Sequence, residues 1–196
     1  MNLKKYIDIN CDVGEGMGNE SELFPHISSC NVACGGHAGD QITMQQVVSL
    51  AKNHQLRIGA HPSYPDRSNF GRISMSISAK ELITTIEEQI HTLMLICEQE
   101  QVKLHHIKAH GALYNDIAKD AKLVEIFLEA AEKHKEVLFL YVPVNSVLEQ
   151  MALERGFMIK REAFADRNYN EDYSLVSRKE SNALISNPQL VCEHLA

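Results

Sequence analysis

Short apolar runs alternate along this chain with longer stretches in which apolar residues recur at helical spacing. The short runs predict six β-strands, at Tyr6–Cys11, Ser29–Ala33, Leu56–Ala60, Leu104–Ala109, Val137–Val142 and Phe157–Phe164. The longer stretches predict helices at Ile42–His54, Ser78–Glu100, Ala118–His134 and Ser146–Arg155, and a further helix-like stretch occupies Pro188–Leu195. Strands and helices that alternate through short connections indicate a parallel sheet, either a barrel or an open doubly wound sheet.

Polar side chains on one face of two predicted strands favour the barrel. Side chains alternate between the two faces of a strand, and each of these strands places three polar residues on the same face. They are Asp8, Asn10 and Asp12 in the first strand and His106, Lys108 and His110 in the fourth. A strand buried in an open parallel sheet is instead almost continuously apolar. We therefore predict an α/β fold, a parallel β/α barrel of the TIM type with a polar interior near its mouth.

The number of strand–helix units sets the expected extent of this barrel. A TIM barrel has about eight βα units in about 250 residues, and we count six units in 196 residues. Either the barrel is incomplete at its C-terminal end, or its last strand and helix lie outside this sequence. No linker-like or repeated segment interrupts the pattern, so we expect residues 1–196 to form a single domain.

Composition and charge narrow the class of protein. Hydrophobic residues make up 44% of the chain and charged residues 23%, which is typical of a globular protein. The net charge of −7 argues against nucleic acid as a partner, because phosphate binding needs clustered Lys and Arg. We expect no membrane span, no signal peptide and, with five cysteines and no Cys-x-x-Cys pair, no disulfide scaffold. The expected location is the cytoplasm.

Four short polar clusters follow the first four predicted strands. They occupy residues 10–15, 34–40, 59–66 and 108–115. In a parallel α/β protein, the loops that leave the carboxyl ends of the strands open on one side of the sheet, so clusters far apart in sequence converge on one pocket. This arrangement predicts an enzyme.

The first two clusters combine carboxylates with glycines. Asp12 and Glu15 could bind a metal ion or divide the roles of acid and base, although Asp12 could instead only cap a turn. His37 lies among glycines that allow a ligand to approach the backbone. Asp40 is either a binding residue or the N-cap of the next helix. Cys34 and His37 have a spacing that zinc sites use, but no second pair of this kind follows.

The third and fourth clusters each end a strand with a histidine. His61 precedes a turn with two prolines, which would fix its imidazole at the mouth of a pocket. Arg72, further along that loop, could pair with a substrate carboxylate or form an ordinary surface ion pair. Lys108 and His110 share one strand face, and burying either without a partner is costly. We therefore expect both at the pocket.

Two further pairs complete the candidates. Tyr114 and Asn115 are expected in the loop that follows the fourth strand. Asp166 and Arg167 follow the sixth strand, where the alternatives are a binding site and a structural ion pair.

Taken together, the clusters resemble the LamB/YcsF family. Its pattern is close to Asn-Cys-Asp-x-Gly-Glu, Cys-Gly-x-His-Ala-Gly-Asp, His-Pro-x-Tyr-Pro-Asp with Phe-Gly-Arg, Lys-Pro-His-Gly-Ala-Leu-Tyr-Asn, and Phe-Ala-Asp-Arg-x-Tyr with Leu-Val-x-Arg. These blocks stand in order at 10–15, 34–40, 61–66 with 70–72, 108–115, and 164–169 with 175–178. Three residues depart slightly from the family's usual sequence. Gly36 stands where an aromatic residue is frequent, Ala109 where proline is usual, and Tyr173 where glycine is common. The family also continues into a Cys-x-His-Gly-Asp segment that this sequence does not contain.

The resemblance implies a β/α barrel akin to the glycoside hydrolase/deacetylase group. It also implies cleavage of 5-oxo-L-proline to L-glutamate, driven by ATP hydrolysis, in a complex with two other 5-oxoprolinase subunits. The chain has no Gly-x-x-x-x-Gly-Lys-[Ser/Thr] segment, so the nucleotide site would be made jointly with the partners or supplied by them.

Site roles follow from the residues and the resemblance together. The catalytic candidates are Asp12, Glu15, His61, Lys108 and His110. The substrate-binding candidates are Asn10, His37, Asp40, Arg72, Tyr114, Asn115, Asp166 and Arg167. A divalent metal would be held by Asp12, His37, His61 and His110. Two alternatives stay open: a metal-dependent amide hydrolase or deacetylase that acts alone, and a non-catalytic binding subunit.

Overall fold

A computed structural model of the chain describes residues 7–195. Its strands are β1 (Asn10–Val13), β2 (Ser29–Ala33), β3 (Arg57–His61), β4 (Leu104–Ile107), β5 (Phe139–Pro143) and β6 (Met158–Glu162). Its helices are α1 (Glu20–Leu23), α2 (Gln41–Asn53), α3 (Ala79–Gln99), α4 (Gly111–Ile117), α5 (Ala121–Ala131), α6 (Val147–Glu154) and α7 (Pro188–Leu195), with 3₁₀ turns at Phe24–His26 and Glu132–His134.

The six strands form one parallel sheet whose order in space is their order in sequence. A doubly wound sheet reverses this order at a switch point, so the consecutive order is that of a barrel. The sheet also curls, as contacts between side chains near its two edges show. Asn10 of β1 donates a hydrogen bond to Glu162 of β6 over 3.2 Å, and Asp8 accepts one from Tyr141 of β5. The predicted fold class is confirmed: the described part of the chain is a curled half-barrel.

The two faces of the sheet differ in polarity. On the outer face, Val32, Ile58 and Ile107 are fully buried in the apolar layer beneath α2, α3 and α5. On the inner face, Asn31 and His106 are equally buried but are polar. The period-two alternation therefore sends the apolar residues toward the helices and the polar residues toward the barrel axis. No helix in the described ranges has the length and apolar character that a membrane span needs.

Most predicted elements are present with their ends moved by a few residues. Strand β2 has the predicted bounds, and α3 is the predicted second helix with Ser78 as its N-cap, accepting from the Glu81 amide over 3.3 Å. The predicted start of the first strand, Tyr6, lies outside the described residues. The helix predicted over 118–134 is α5 with the 3₁₀ turn that follows it, and it begins three residues later than predicted because Asp120 is its N-cap. The separate seven-residue α4 was not predicted.

Candidate active site

A cavity of about 490 Å³ opens beyond the carboxyl ends of the strands. All five catalytic candidates line it, and Arg72, Tyr114, Asn115 and Arg167 do so as well. Tyr114 and Asn115 belong to α4, so the prediction that they lie in a loop was wrong. The lining also includes Phe164, Arg178 and Lys179, which come from beyond β6.

Three histidines and one carboxylate converge beside this cavity. Glu15, His37, His61 and His110 each offer a ligand atom, and these atoms all lie within 4.8 Å of one another. The Glu15 Oε1 atom is 2.8 Å from Nε2 of His37, 3.4 Å from Nδ1 of His110 and 3.9 Å from Nε2 of His61. The four residues come from β3 and from the segments that follow β1, β2 and β4. Consecutive strands therefore build one cluster at a single rim.

Backbone carbonyls fix the tautomers of two of these histidines. Nδ1 of His61 is 2.8 Å from the carbonyl oxygen of Lys108, and Nε2 of His110 is 3.0 Å from that of Phe70. A carbonyl only accepts, so these two nitrogens carry the protons. The inward nitrogens, Nε2 of His61 and Nδ1 of His110, are then 3.0 Å apart, and each directs a lone pair toward the other. Such a pair is stable only with a cation or a shared proton between the nitrogens.

Burial disfavours a proton on two of these histidines, His37 and His110. Burial, with the neighbouring His61 and His37, lowers the pKa of His110 to about 2. Burial also lowers the pKa of His37, although the Glu15 carboxylate partly opposes this shift. Imidazole nitrogens with inward lone pairs beside a carboxylate are a donor set that suits a divalent metal such as Zn²⁺. The carboxylate that approaches all three histidines is Glu15. Among the three, Asp12, the expected ligand, comes within 4.0 Å of His61 alone, with its Oδ2 atom 3.3 Å from Nε2.

The loop that follows His61 packs against this cluster. The His37 and His110 rings stack with their centroids 3.5 Å apart, and the Phe70 ring makes a near-perpendicular contact with each of them. Gly71 has a φ of +60°, and a Cβ there would lie 3.0 Å from Cβ of His37 and 3.1 Å from Cδ2 of His110. Glycine is therefore required both by its backbone conformation and by the close approach of two site residues.

Lys108 is the buried cation on the floor of the cavity. Its ammonium is 3.0 Å from Oδ1 of Asn10 and 3.3 Å from carboxylate oxygens of both Asp12 and Glu162. Burial opposes its charge, but Asp12 and Glu162 outweigh burial and raise the pKa of Lys108 above its ordinary value. Burial likewise opposes ionisation of Asp12, but His61 and Lys108 hold the pKa of Asp12 well below its usual range. Both groups are therefore charged at neutral pH.

Asn31, which is itself hydrogen-bonded to His106, positions the Asp12 and Asn10 side chains. The Asn31 amide donates to Oδ1 of Asn10 over 2.7 Å and to Oδ1 of Asp12 over 2.8 Å. Its own Oδ1 lies 2.6 Å from Nε2 of His106, which must carry the proton because an amide oxygen only accepts. The ring of His106 is in turn stacked on Tyr141, with centroids 3.9 Å apart.

Sequence reasoning missed Asn31 and Glu162 as site residues. The available signal for Asn31 was its place between apolar neighbours in β2, on the face that also carries Ser29. Glu162 ends β6, just as other site residues end their strands. The candidates named after this strand were instead Asp166 and Arg167.

Four substrate-binding candidates do not line the cavity. Asn10 contacts Lys108 and His37 belongs to the histidine cluster, so both lie next to the cavity. The other two are Asp40 and Asp166. Asp40 is exposed and is the N-cap of α2, where its Oδ1 accepts from the Thr43 amide over 2.8 Å, so the capping alternative describes it. Asp166 is exposed as well, and it forms no ion pair with Arg167 among the described residues. Cys34 also stays out of the histidine cluster, because its Sγ accepts from the backbone amide of His61.

Comparisons with known proteins find a family, curated relatives and a solved structure that are similar to this chain. The model of the LamB/YcsF family matches residues 7–196. Two proteins from Staphylococcus aureus, strains bovine RF122 / ET3-1 and MRSA252, are named as a subunit of 5-oxoprolinase. They are 43% and 42% identical over 185 residues, which is 92% of this chain and 74% of each relative. The crystal structure of the lactam utilization protein from Thermus thermophilus superposes with a TM-score of 0.90 at 34% identity, covering 96% of this chain and 78% of that one.

Proposed function

This chain belongs to the LamB/YcsF family, and on that premise we propose that it opens 5-oxo-L-proline to L-glutamate as one subunit of an ATP-dependent 5-oxoprolinase. Two other subunits complete the enzyme, in the cytoplasm, and ATP is bound with them or by them. The observation that carries the proposal is the charged Lys108–Asp12 pair beside the histidine cluster, at one cavity, in a chain whose relatives are named for this activity.

Opening the lactam adds water across its amide bond. The water oxygen bonds to the carbonyl carbon, the C–N bond breaks, and the ring nitrogen takes up a proton. An unactivated amide therefore needs a base for the water, a donor for the developing oxyanion and a proton for the leaving nitrogen. Each of these tasks has a candidate group in the cavity.

We assign the base to Asp12 and the oxyanion donor to Lys108. The Asp12 side chain is 32% exposed on the cavity side, so water reaches it, and its low pKa keeps it ionised. A proton taken from water by Asp12 can pass to the ring nitrogen as the C–N bond breaks. Lys108 donates from a buried position, where a charged hydrogen bond is strong. Tyr114 and Asn115 bind the substrate from α4.

The histidine cluster fits a divalent metal ion, and we propose that Glu15, His37, His61 and His110 hold one. Both His61 and His110 direct a lone pair inward because their other nitrogen bonds a backbone carbonyl, which is the arrangement common for histidine ligands. A bound metal would polarise the lactam carbonyl or lower the pKa of a coordinated water. The same cluster favours a second candidate function, a metal-dependent amide hydrolase that acts without ATP or partners.

The deciding experiment measures glutamate release from 5-oxoproline by the chain alone and by the chain with its partner subunits, each with and without ATP. We expect release only from the complex with ATP. Asp12→Asn should abolish it, whereas Asp120→Asn, which changes an exposed cap to an equally good one, should not. Release by the chain alone without ATP would favour the second candidate. No glutamate release under any of these conditions would favour the remaining alternative, a non-catalytic binding subunit.

Metal content tests the cluster separately. We expect about one divalent ion per purified chain and its loss in His61→Gln, with His91→Gln on the exposed face of α3 as the matched control. Equal metal content in the two variants would contradict the proposed ligands.

A further inference from the structure

Five cationic side chains besides Lys108 line the same cavity. They are Arg72, Lys119, Arg167, Arg178 and Lys179. The carboxylates in the lining are Asp12, Glu15 and Asp116, of which Asp12 already faces Lys108. The cavity is therefore rich in positive charge, although the chain carries a net charge of −7.

The described part of the chain gives these five cations no carboxylate partner. Among the residues that the structure describes, none of them has a carboxylate oxygen within 4.0 Å. Several cations elsewhere on the molecule are paired: Lys133 with Glu87, Arg155 with Glu125 and Glu132. The cavity therefore gathers unpaired positive charge where a ligand would enter.

Arg167 is the buried member of this set, whereas the other four cations are exposed. Its side chain is only 6% exposed, yet its guanidinium bonds two neutral acceptors, the carbonyl oxygens of Ala183 and Val176, at 3.1 and 2.8 Å. Burial, with the nearby Arg178, lowers the pKa of Arg167. A buried charge without a counter-ion is costly, and an anion in the cavity would remove that cost.

Arg72 places this charge next to the reaction centre. Its guanidinium carbon lies 4.7 Å from the centroid of the Phe70 ring, in a cation–π contact. The carbonyl of the same Phe70 holds Nε2 of His110. The loop that orients the histidine cluster therefore also positions Arg72.

We propose that Arg72, Arg167 and Arg178 form an anion subsite, with Lys119 and Lys179 at its rim, which binds the anionic group of the substrate. That group is a carboxylate or a phosphate, since guanidinium groups bind both through paired N–H donors. The proposal deepens the proposed function and rests on it for the position of the reacting amide. The subsite would hold the ligand by its charged group while Lys108 and Asp12 act on the ring.

Binding to the full chain tests the subsite without requiring turnover. Calorimetry would use 5-oxoproline, its neutral amide 5-oxoprolinamide and inorganic phosphate. We expect Arg72→Met and Arg178→Met each to weaken binding of the anions by about 10-fold to 100-fold, the value of a charged hydrogen bond. Arg155→Met, on the far surface, should leave binding unchanged. The neutral amide should bind the unaltered chain more weakly and should not respond to these substitutions.

The outcomes separate the sources of the anion. Binding of 5-oxoproline that is lost in both variants supports a carboxylate in the subsite, and binding of phosphate alone with the same losses supports a phosphate-bearing substrate. Anion affinity that is undetectable, or the same in the Arg72 and Arg178 variants as in the unaltered chain, overturns the proposal. The proposed function fails on a different measurement, ATP-dependent glutamate release, so subsite binding without that activity would overturn only the function.

Discussion

Lys108→Met removes an ammonium that contacts both Asp12 and Glu162, and we expect it to destabilise the fold strongly. The Lys108 side chain is 4% exposed and that of Glu162 is 7% exposed, so solvent cannot replace the lost cation. Removing one partner of a buried ion pair costs about 3–5 kcal/mol. Asp12 keeps its hydrogen bond from Asn31 and is partly exposed, which points to the lower end, about 3 kcal/mol.

Urea unfolding of the variant beside the unaltered chain measures this cost. The control is Lys133→Met, which breaks a pair with Glu87 in which the lysine side chain is 72% exposed, and it should cost at most about 1 kcal/mol. The double variant Lys108→Met with Glu162→Gln should recover part of the loss, because it removes the charge that Lys108 leaves behind. A cost for Lys108→Met no larger than that of the control would refute the reasoning.

The cost should also depend on pH with a definite sign. Asp12 has a lowered pKa in the folded chain, so its contribution is present above its unfolded value of about 3.9 and is lost as the pH falls below it. Lys108 has a raised pKa, so its contribution persists until the pH rises above about 10.4. The difference between the unaltered chain and Lys108→Met should therefore stay constant from about pH 6 to pH 9 and shrink in acid.

Three further changes test the parts around this pair. Burial, with nearby positive charges, holds the pKa of His106 well below its ordinary value. Below about pH 6.5 the unfolded chain therefore binds a proton at His106 that the folded chain does not, and the free energy of unfolding decreases as the pH falls. His106→Gln keeps a donor for Asn31 but cannot be protonated. Between about pH 6 and pH 5, the free energy of unfolding measured in urea should therefore fall less steeply in this variant, by about 1.4 kcal/mol per pH unit. Gly59→Ala puts a Cβ within 2.1 Å of Nε2 of His106 and should cost about 1–3 kcal/mol in the same assay. Asp40→Ala should cost about 1 kcal/mol as a lost N-cap and leave glutamate release by the complex unchanged.

Each of these tests has a contradicting result. An unchanged pH slope in His106→Gln would mean that another group carries the acid sensitivity. A neutral Gly59→Ala would mean that the His106 ring is free to move. Loss of activity in a folded Asp40→Ala chain would restore Asp40 to the substrate-binding residues.

The sequence was most informative where polarity alternates. The three polar residues of the fourth predicted strand could point only one way, and a barrel interior was the place that suits them. That argument predicted the fold class and placed Lys108 and His110 at the cavity. It worked because strand geometry is strictly periodic.

Loops and short helices were harder to predict from the sequence. Asp12 and Glu15 stand three residues apart, and only the turn between them decides which carboxylate reaches the histidines. Helix α4 begins at Gly111 and has seven residues, too few to show a clear period, so its cluster was assigned to a loop. Glu162 was overlooked because its partner Lys108 is 54 positions away in sequence, and only the curl of the sheet brings them together.

The contacts of Lys108 also bear on how this sheet moves. β1 and β6 are its two edges, and side chains in its interior, rather than backbone hydrogen bonds, connect them. A substrate oxyanion that draws the Lys108 ammonium away from Glu162 would loosen that connection. Occupancy of the site would then change the curvature of the sheet, and backbone amides in β1 and β6 would exchange their hydrogens faster while those in β2 and β3 kept their protection.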